Sequence, residues 1–200
     1  MCVLVHGRGQ VPEDMVEGVI ARLSLPWVAF ALPRAAGKSW YKARAADPLS
    51  EATEGELERS LEVLDAAVRA ARAAVPGRGM LLAGFSQGAC LAVEYALRRG
   101  PWDGALAALT GARVGSAASV SGRPRAALGG MEVYLSGGDA DPWIPPQAWA
   151  EAAADFAAAG AHLLAEVFPG RPHEVSGAEI AVVGRMLAGL AAAGGARKAG

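Results

Sequence analysis

What this sequence has little of narrows it first. Only two cysteines occur in 200 residues, Cys2 and Cys90. Cys90 falls in an apolar run and reads as a small core residue, so no disulfide framework is expected. Charge of one sign is missing: 19 basic and 20 acidic residues leave a net charge of −1. A surface so balanced offers no electrostatic reason for nucleic acid or an anionic membrane as partner. No apolar run reaches the roughly 18 residues that a membrane span needs. Met1-Cys2-Val3-Leu4-Val5 carries no basic leader segment and runs straight into a loop signal. These absences point to a cytoplasmic protein without stable membrane association. No repeat or linker interrupts the chain either, so residues 1–193 read as one domain and 194–200 as a flexible tail.

What is present is a strand–helix alternation in a chain that is 52% hydrophobic. Short apolar runs at Cys2–Val5, Trp27–Leu32, Met80–Ala83, Ala105–Leu109, Met131–Leu135 and Leu163–Phe168 read as strands. Helical spacing places Met15, Val16, Val19, Ile20 and Leu23 on one face over Pro12–Leu23. Leu57, Leu61, Leu64 and Val68 do the same over Ser50–Ala74, with Glu54, Glu56 and Glu58 near the favourable N-terminal end. Further helices are expected from the Gly84–Gly88 turn to Arg99, over Pro146–Ala159 and over Ile180–Ala193. This order implies α/β architecture, a mostly parallel twisted sheet of about six strands with helices on both faces. Residues 111–130 are rich in Gly, Ser and Arg and read as a loop over the sheet edge.

The strongest chemical signal is Gly84-Phe85-Ser86-Gln87-Gly88 between a strand and a helix. A G-x-S-x-G elbow needs small residues flanking the serine because the turn is tight and strained. It lifts the hydroxyl to a helix N-terminus, where developing negative charge is stabilised. A serine hydroxyl is a weak nucleophile and needs a base held by an acid. In the order expected for this elbow the partners lie downstream, where only His162 and His173 occur. His162 begins a strand, at the wrong end, and reads as a surface residue. His173 follows the last strand in a rigid loop, Pro169-Gly170-Arg171-Pro172-His173, and is the expected base.

The acid is expected after the preceding strand, where Asp139 and Asp141 stand two residues apart. Spacing leaves them even: one can orient the imidazole while the other caps the turn. A metal site on the pair lacks further ligands nearby. The Gln87 N–H and the Arg8 N–H in His6-Gly7-Arg8-Gly9 are the expected oxyanion donors. The Arg8 side chain reads as solvated, with an acidic substrate as its functional alternative. His6, upstream of the serine, reads as a brace for its loop.

Together these segments resemble the phospholipase/carboxylesterase family of α/β-hydrolases, which includes acyl-protein thioesterases and small bacterial carboxylesterases. The matching stretches are Leu4–Gly9, Gly84–Ala89, Gly138–Pro145 and Pro169–His173, in the right order along nearly the whole chain. The resemblance implies an α/β-hydrolase fold and selects Asp141, directly before Pro142, as the acid. It implies ester or thioester hydrolysis by Ser86, His173 and Asp141, on small or short-acyl substrates and with no cofactor or metal. Lysophospholipase or acyl-protein thioesterase activity is the neighbouring alternative. A dienelactone-hydrolase-like enzyme would carry Cys at the elbow, and a non-catalytic binding protein would lack triad residues. Ser39-Trp40-Tyr41 is similar to a pocket-lining segment of bacterial members, so Trp40 and Tyr41 read either as pocket residues or as loop packing, and Trp143 is a third candidate for the pocket; Lys42 stands where relatives often have Pro. Relatives also carry one or two strands ahead of the oxyanion strand. A sheet edge bared by their lack is the only hint of a homodimer.

Overall fold

Apolar runs with no polar alternation are strands buried on both faces, and such strands belong in parallel sheets. The computed structural model, which describes residues 1–116 and 125–196, places six of them side by side. They are β1 (Cys2–Val5), β2 (Phe30–Ala31), β3 (Met80–Phe85), β4 (Gly104–Leu109), β5 (Glu132–Gly138) and β6 (His162–Phe168). Every pairing is parallel, in the order β2-β1-β3-β4-β5-β6. This is the α/β-hydrolase fold.

Helices cover both faces, as parallel crossovers require. Alternate side chains of β3 show the division. Met80 and Leu82 enter one core with α3 (Glu51–Ala74), α4 (Gln87–Arg99) and α5 (Pro146–Ala158). Leu81, Ala83 and Phe85 enter a second core. That core is closed by α1 (Pro12–Met15), a π turn over Val16–Ile20, α2 (Ala21–Leu23) and α6 (Gly177–Ala196). Helix α3 starts where its sequence says it should. The Ser50 hydroxyl accepts from the Thr53 N–H at 3.3 Å, the Thr53 hydroxyl accepts from the Ser50 N–H at 2.8 Å, and Leu57, Leu61, Leu64 and Val68 are all buried.

Several expectations need correction. The strand expected over Trp27–Leu32 is only Phe30–Ala31, because a turn from the Val28 N–H to the Leu25 carbonyl (3.1 Å) leaves Trp27 54% exposed. That short strand lies outside β1, so the oxyanion strand is not the sheet edge. A two-residue edge offers little for another chain to pair with. Helix α6 continues to Ala196, past the expected end at 193, and residues 197–200 of the expected tail lie outside the described residues.

Gly177–Gly194 is also long and apolar enough to cross a membrane by length and composition, contrary to the expectation that no such stretch exists. Here Ile180, Val183, Met186 and Leu187 pack one face of it into the second core. The loop expected over the sheet edge is likewise different. Residues 117–124 lie outside the described residues, but Ala112, Arg113 and Val114 are buried inside the first core.

Cys2 and Cys90 are both buried free thiols. Burial pushes each up to about 12, so thiolate is scarce at neutral pH. The native protein is therefore expected to show no fast reaction with Ellman's reagent at pH 8, and two reactive thiols once unfolded. Rapid titration of either thiol in the native state would contradict this packing.

Candidate active site

The elbow is built by backbone approach. Ser86 joins β3 to α4 with φ 56° and ψ −121°, a conformation disfavoured for any residue with a Cβ. Two glycines make that turn possible. A Cβ on Gly88 would lie 2.2 Å from the Val5 carbonyl oxygen, and one on Gly84 would lie 2.5 Å from Gly88 backbone atoms. Neither position accepts a side chain unless β1, β3 and α4 separate. Strain is thus held by packing around the hydroxyl.

The loop after β6 carries the histidine and is anchored from below by Arg171. That guanidinium donates to the Glu174 carbonyl at 2.8 Å and to the Thr110 hydroxyl at 2.9 Å, and it pairs with the fully buried Glu179. Glu179 also accepts from the Ser176 N–H at 2.6 Å and from the Ser136 hydroxyl. These bonds tie the loop to the end of β4, to β5 and to α6, although the Arg171 Nε donor is buried without a hydrogen-bond partner among the described residues. The His173 ring rests 5.1 Å from the ring of Phe85.

Three side chains from distant parts of the chain meet above the carboxyl ends of the strands. His173 Nε2 is 2.8 Å from Ser86 Oγ, and His173 Nδ1 is 2.7 Å from Asp141 Oδ2. The other oxygen of Asp141 accepts from the N–H groups of Trp143 (2.7 Å) and Ile144 (3.0 Å). Those bonds fix the direction of the carboxylate. Asp139, which spacing cannot tell apart from Asp141, instead accepts from the Gly170 N–H at 2.5 Å and ties the acid loop to the histidine loop. Both carboxylates are occupied in this way. Among the described residues, no group of three metal-ligating side chains forms.

Beside the hydroxyl, the backbone N–H groups of Arg8 and Gln87 meet no acceptor among the described residues. The Gln87 side chain holds the neighbouring loop. Its Oε1 accepts from the Trp40 N–H at 3.0 Å and its Nε2 donates to the Tyr41 carbonyl at 2.6 Å, while the Tyr41 hydroxyl donates to the Gln87 carbonyl at 3.2 Å. His6 braces the same region. Its Nε2 accepts from the Ala35 N–H at 3.1 Å, so Nδ1 carries the proton and donates to the Gly7 carbonyl at 2.8 Å. Burial holds this imidazole below its ordinary pKa, in keeping with the neutral ring.

A cavity of about 250 Å³ opens beside Ser86 and His173. Tyr41 and Trp143 line it, as expected, but Trp40 does not. Trp40 is turned into the core, with its ring 5.0 Å from that of His6 and its indole N–H donating to the His6 carbonyl at 2.9 Å. It is a packing residue that holds the loop after β1. Sequence reading missed Ala43, Arg44, Ala45, Cys90 and Ile144 as lining residues. Only Cys90 carried a usable signal, since it lies one helical turn after Ser86 and so shares its face of α4. The Arg8 side chain is exposed, as expected, yet it is also held. Its Nη2 donates to the carbonyls of Lys42 (3.1 Å) and Ala43 (2.8 Å).

Known structures show the same architecture. A phospholipase/carboxylesterase from Dyadobacter fermentans is 31% identical, with a TM-score of 0.82 over 92% of this chain and 87% of that one. The esterase PE8 is 23% identical, with a TM-score of 0.77 over 94% and 91% of the two chains. A carboxylesterase from Mesorhizobium loti is 19% identical, with a TM-score of 0.72 over 94% and 88%. No curated protein sequence matches the chain. The sequence profile described as phospholipase/carboxylesterase matches residues 2–190. With that match spanning almost every residue of the fold, the chain belongs to the phospholipase/carboxylesterase family of α/β-hydrolases.

Proposed function

We propose that this chain is a serine carboxylesterase that cleaves short-acyl esters or thioesters through an acyl-enzyme. The observation that carries the reading is the continuous relay from Ser86 through His173 to Asp141, with contacts of 2.8 and 2.7 Å. His173 Nε2 takes the Ser86 proton as Oγ attacks the substrate carbonyl. The tetrahedral oxyanion then accepts from the Arg8 and Gln87 N–H groups. Collapse breaks the bond to the leaving oxygen or sulfur, which departs with the proton from His173. Water adds to the acyl-enzyme by the same route, releasing the acid and restoring Ser86. Asp141 keeps the imidazole in the tautomer with hydrogen on Nδ1 and stabilises its transient positive charge.

Cavity size favours small acyl groups, because 250 Å³ lies below the range of about 300–1,000 Å³ that takes drug-sized ligands. This ranks short esters ahead of long-chain lysophospholipids. A fluorophosphonate probe tests the reading directly. The native chain is expected to be labelled once, on Ser86, and Ser86→Ala not at all. A native protein left unlabelled would be a binding protein on a hydrolase fold.

A further inference from the structure

The cavity beside Ser86 carries a positive charge that the hydrolytic steps do not use. Arg8 and Arg44 both line it. Arg44 is neutralised, with its Nε 3.1 Å from both carboxylate oxygens of Asp47 and its Nη2 3.0 Å from one of them. Lys42, which follows Tyr41, is likewise spent on Glu56 at 3.0 Å. Arg8 differs. Its only hydrogen-bond partners among the described residues are the Lys42 and Ala43 carbonyls, both reached through Nη2. No carboxylate among the described residues forms a salt bridge with it; the nearest electrostatic partner, Asp47, is already paired with Arg44 and feels Arg8 only as a weaker, more distant charge. Its Nε and Nη1 donors therefore remain free, on a guanidinium whose direction is already fixed by two bonds.

Carbonyl dipoles orient a guanidinium without cancelling its charge. An arginine held this way is prepared to accept a carboxylate at lower entropic cost than a free surface arginine. Apart from Tyr41 and Gln87, whose polar side-chain ends are hydrogen-bonded within the protein, the remaining wall is apolar or small: Ala43, Ala45, Cys90, Ile144 and Trp143. A ligand suited to this cavity has a short aliphatic body and one anionic end. Arg8 also sets the distance. If its backbone N–H holds the oxyanion, its guanidinium lies within one arginine side-chain length of the reacting carbonyl. That separation matches a half-ester of a short dicarboxylic acid.

We infer that the preferred substrate is a short carboxylic ester bearing a free carboxylate on its acyl part, bound by the Arg8 guanidinium. This inference rests on the serine-esterase reading above and adds a substrate class to it. The test compares mono-p-nitrophenyl glutarate with p-nitrophenyl pentanoate, acyl chains of equal carbon number that differ in the terminal carboxylate. Spontaneous hydrolysis is subtracted using Ser86→Ala. The native enzyme is expected to favour the glutarate ester about tenfold in kcat/KM at low salt. That preference should shrink toward one near 1 M salt, where the Debye length is about 3 Å.

Arg8→Gln keeps the backbone N–H and removes the charge, and it is expected to abolish the preference. Arg8→Lys should restore part of it. Because the readout is a ratio of two substrates on one protein, a general loss from loop disturbance cancels. Hydrolysis of both esters without preference, or a preference unchanged in Arg8→Gln, overturns the carboxylate inference and leaves the esterase reading intact. Hydrolysis of neither ester, with Ser86 unreactive toward a fluorophosphonate, removes both together.

Discussion

Ser86→Ala is expected to lower kcat/KM for p-nitrophenyl acetate by about 10³- to 10⁶-fold while leaving the fold unchanged. The range is wide because a site without its nucleophile still polarises the carbonyl and still binds substrate. Stability should barely move. Alanine carries the same Cβ as serine, so the backbone strain at φ 56° is the same in both. Removing the hydroxyl also leaves His173 in contact with Asp141. Asp141→Asn is expected to cost about 10⁴-fold in kcat, since the amide disturbs the imidazole tautomer without changing shape.

Asp139→Asn gives the discriminating comparison. It weakens one hydrogen bond, to the Gly170 N–H, and is expected to cost no more than about tenfold. Stopped-flow or steady-state rates on the three variants, with circular dichroism as a folding check, read all of this. Equal losses in Asp139→Asn and Asp141→Asn would show that the two carboxylates have been assigned incorrectly. Retained turnover in Ser86→Ala would remove the proposed mechanism.

The second large effect lies in the core. Arg113→Met is expected to destabilise the protein by about 3–5 kcal/mol, the usual cost of leaving one member of a buried ion pair alone. For a domain of this size that corresponds to a fall in Tm of roughly 6–20 °C. Arg113 is 2% exposed and Glu94 is 0% exposed, with 2.6 Å between Arg113 Nε and Glu94 Oε1. Burial alone would raise the Glu94 pKa. Arg113 and Arg98 together outweigh it and hold the carboxyl below its ordinary value. Arg113 also reaches Asp155 on α5 at 2.5 Å, so one side chain joins α4, the loop after β4 and α5. With it removed, Glu94 keeps Arg98 at 2.8 Å and the Val114 N–H at 3.0 Å, which places the loss toward the lower end. Urea unfolding with an unchanged m-value checks the magnitude. A loss under about 1 kcal/mol would mean that solvent reaches Glu94.

Arg113 also marks where sequence reading stopped. Its segment is rich in Gly, Ser and Arg, and by composition it is indistinguishable from a solvated loop. Its partners Glu94 and Asp155 are 19 and 42 residues away, and no local pattern connects them. Trp40 is undecidable from local sequence for the opposite reason. A loop tryptophan near a reactive serine suits a pocket, yet the neutral His6 ring and the His6 carbonyl offered it a buried seat. Strand β2 was overdrawn because apolar content cannot show where a turn pulls the chain out of register.

The sequence by itself determined the elements whose physics is local. The apolar runs became parallel strands, the stripe of α3 became its buried face, and the glycines of the elbow announced a turn that tolerates no Cβ. It also placed a serine, a histidine and two aspartates on loops at the same end of the sheet. Spacing left Asp139 and Asp141 even and the family resemblance picked Asp141, but only the tertiary structure shows Asp141 against His173 and Asp139 against the Gly170 N–H. Only it pairs Arg44 with Asp47 while holding Arg8 by backbone carbonyls beside the cavity. Local spacing governs strand, helix and turn, whereas pairing, burial and charge balance depend on residues that only the closed sheet brings together.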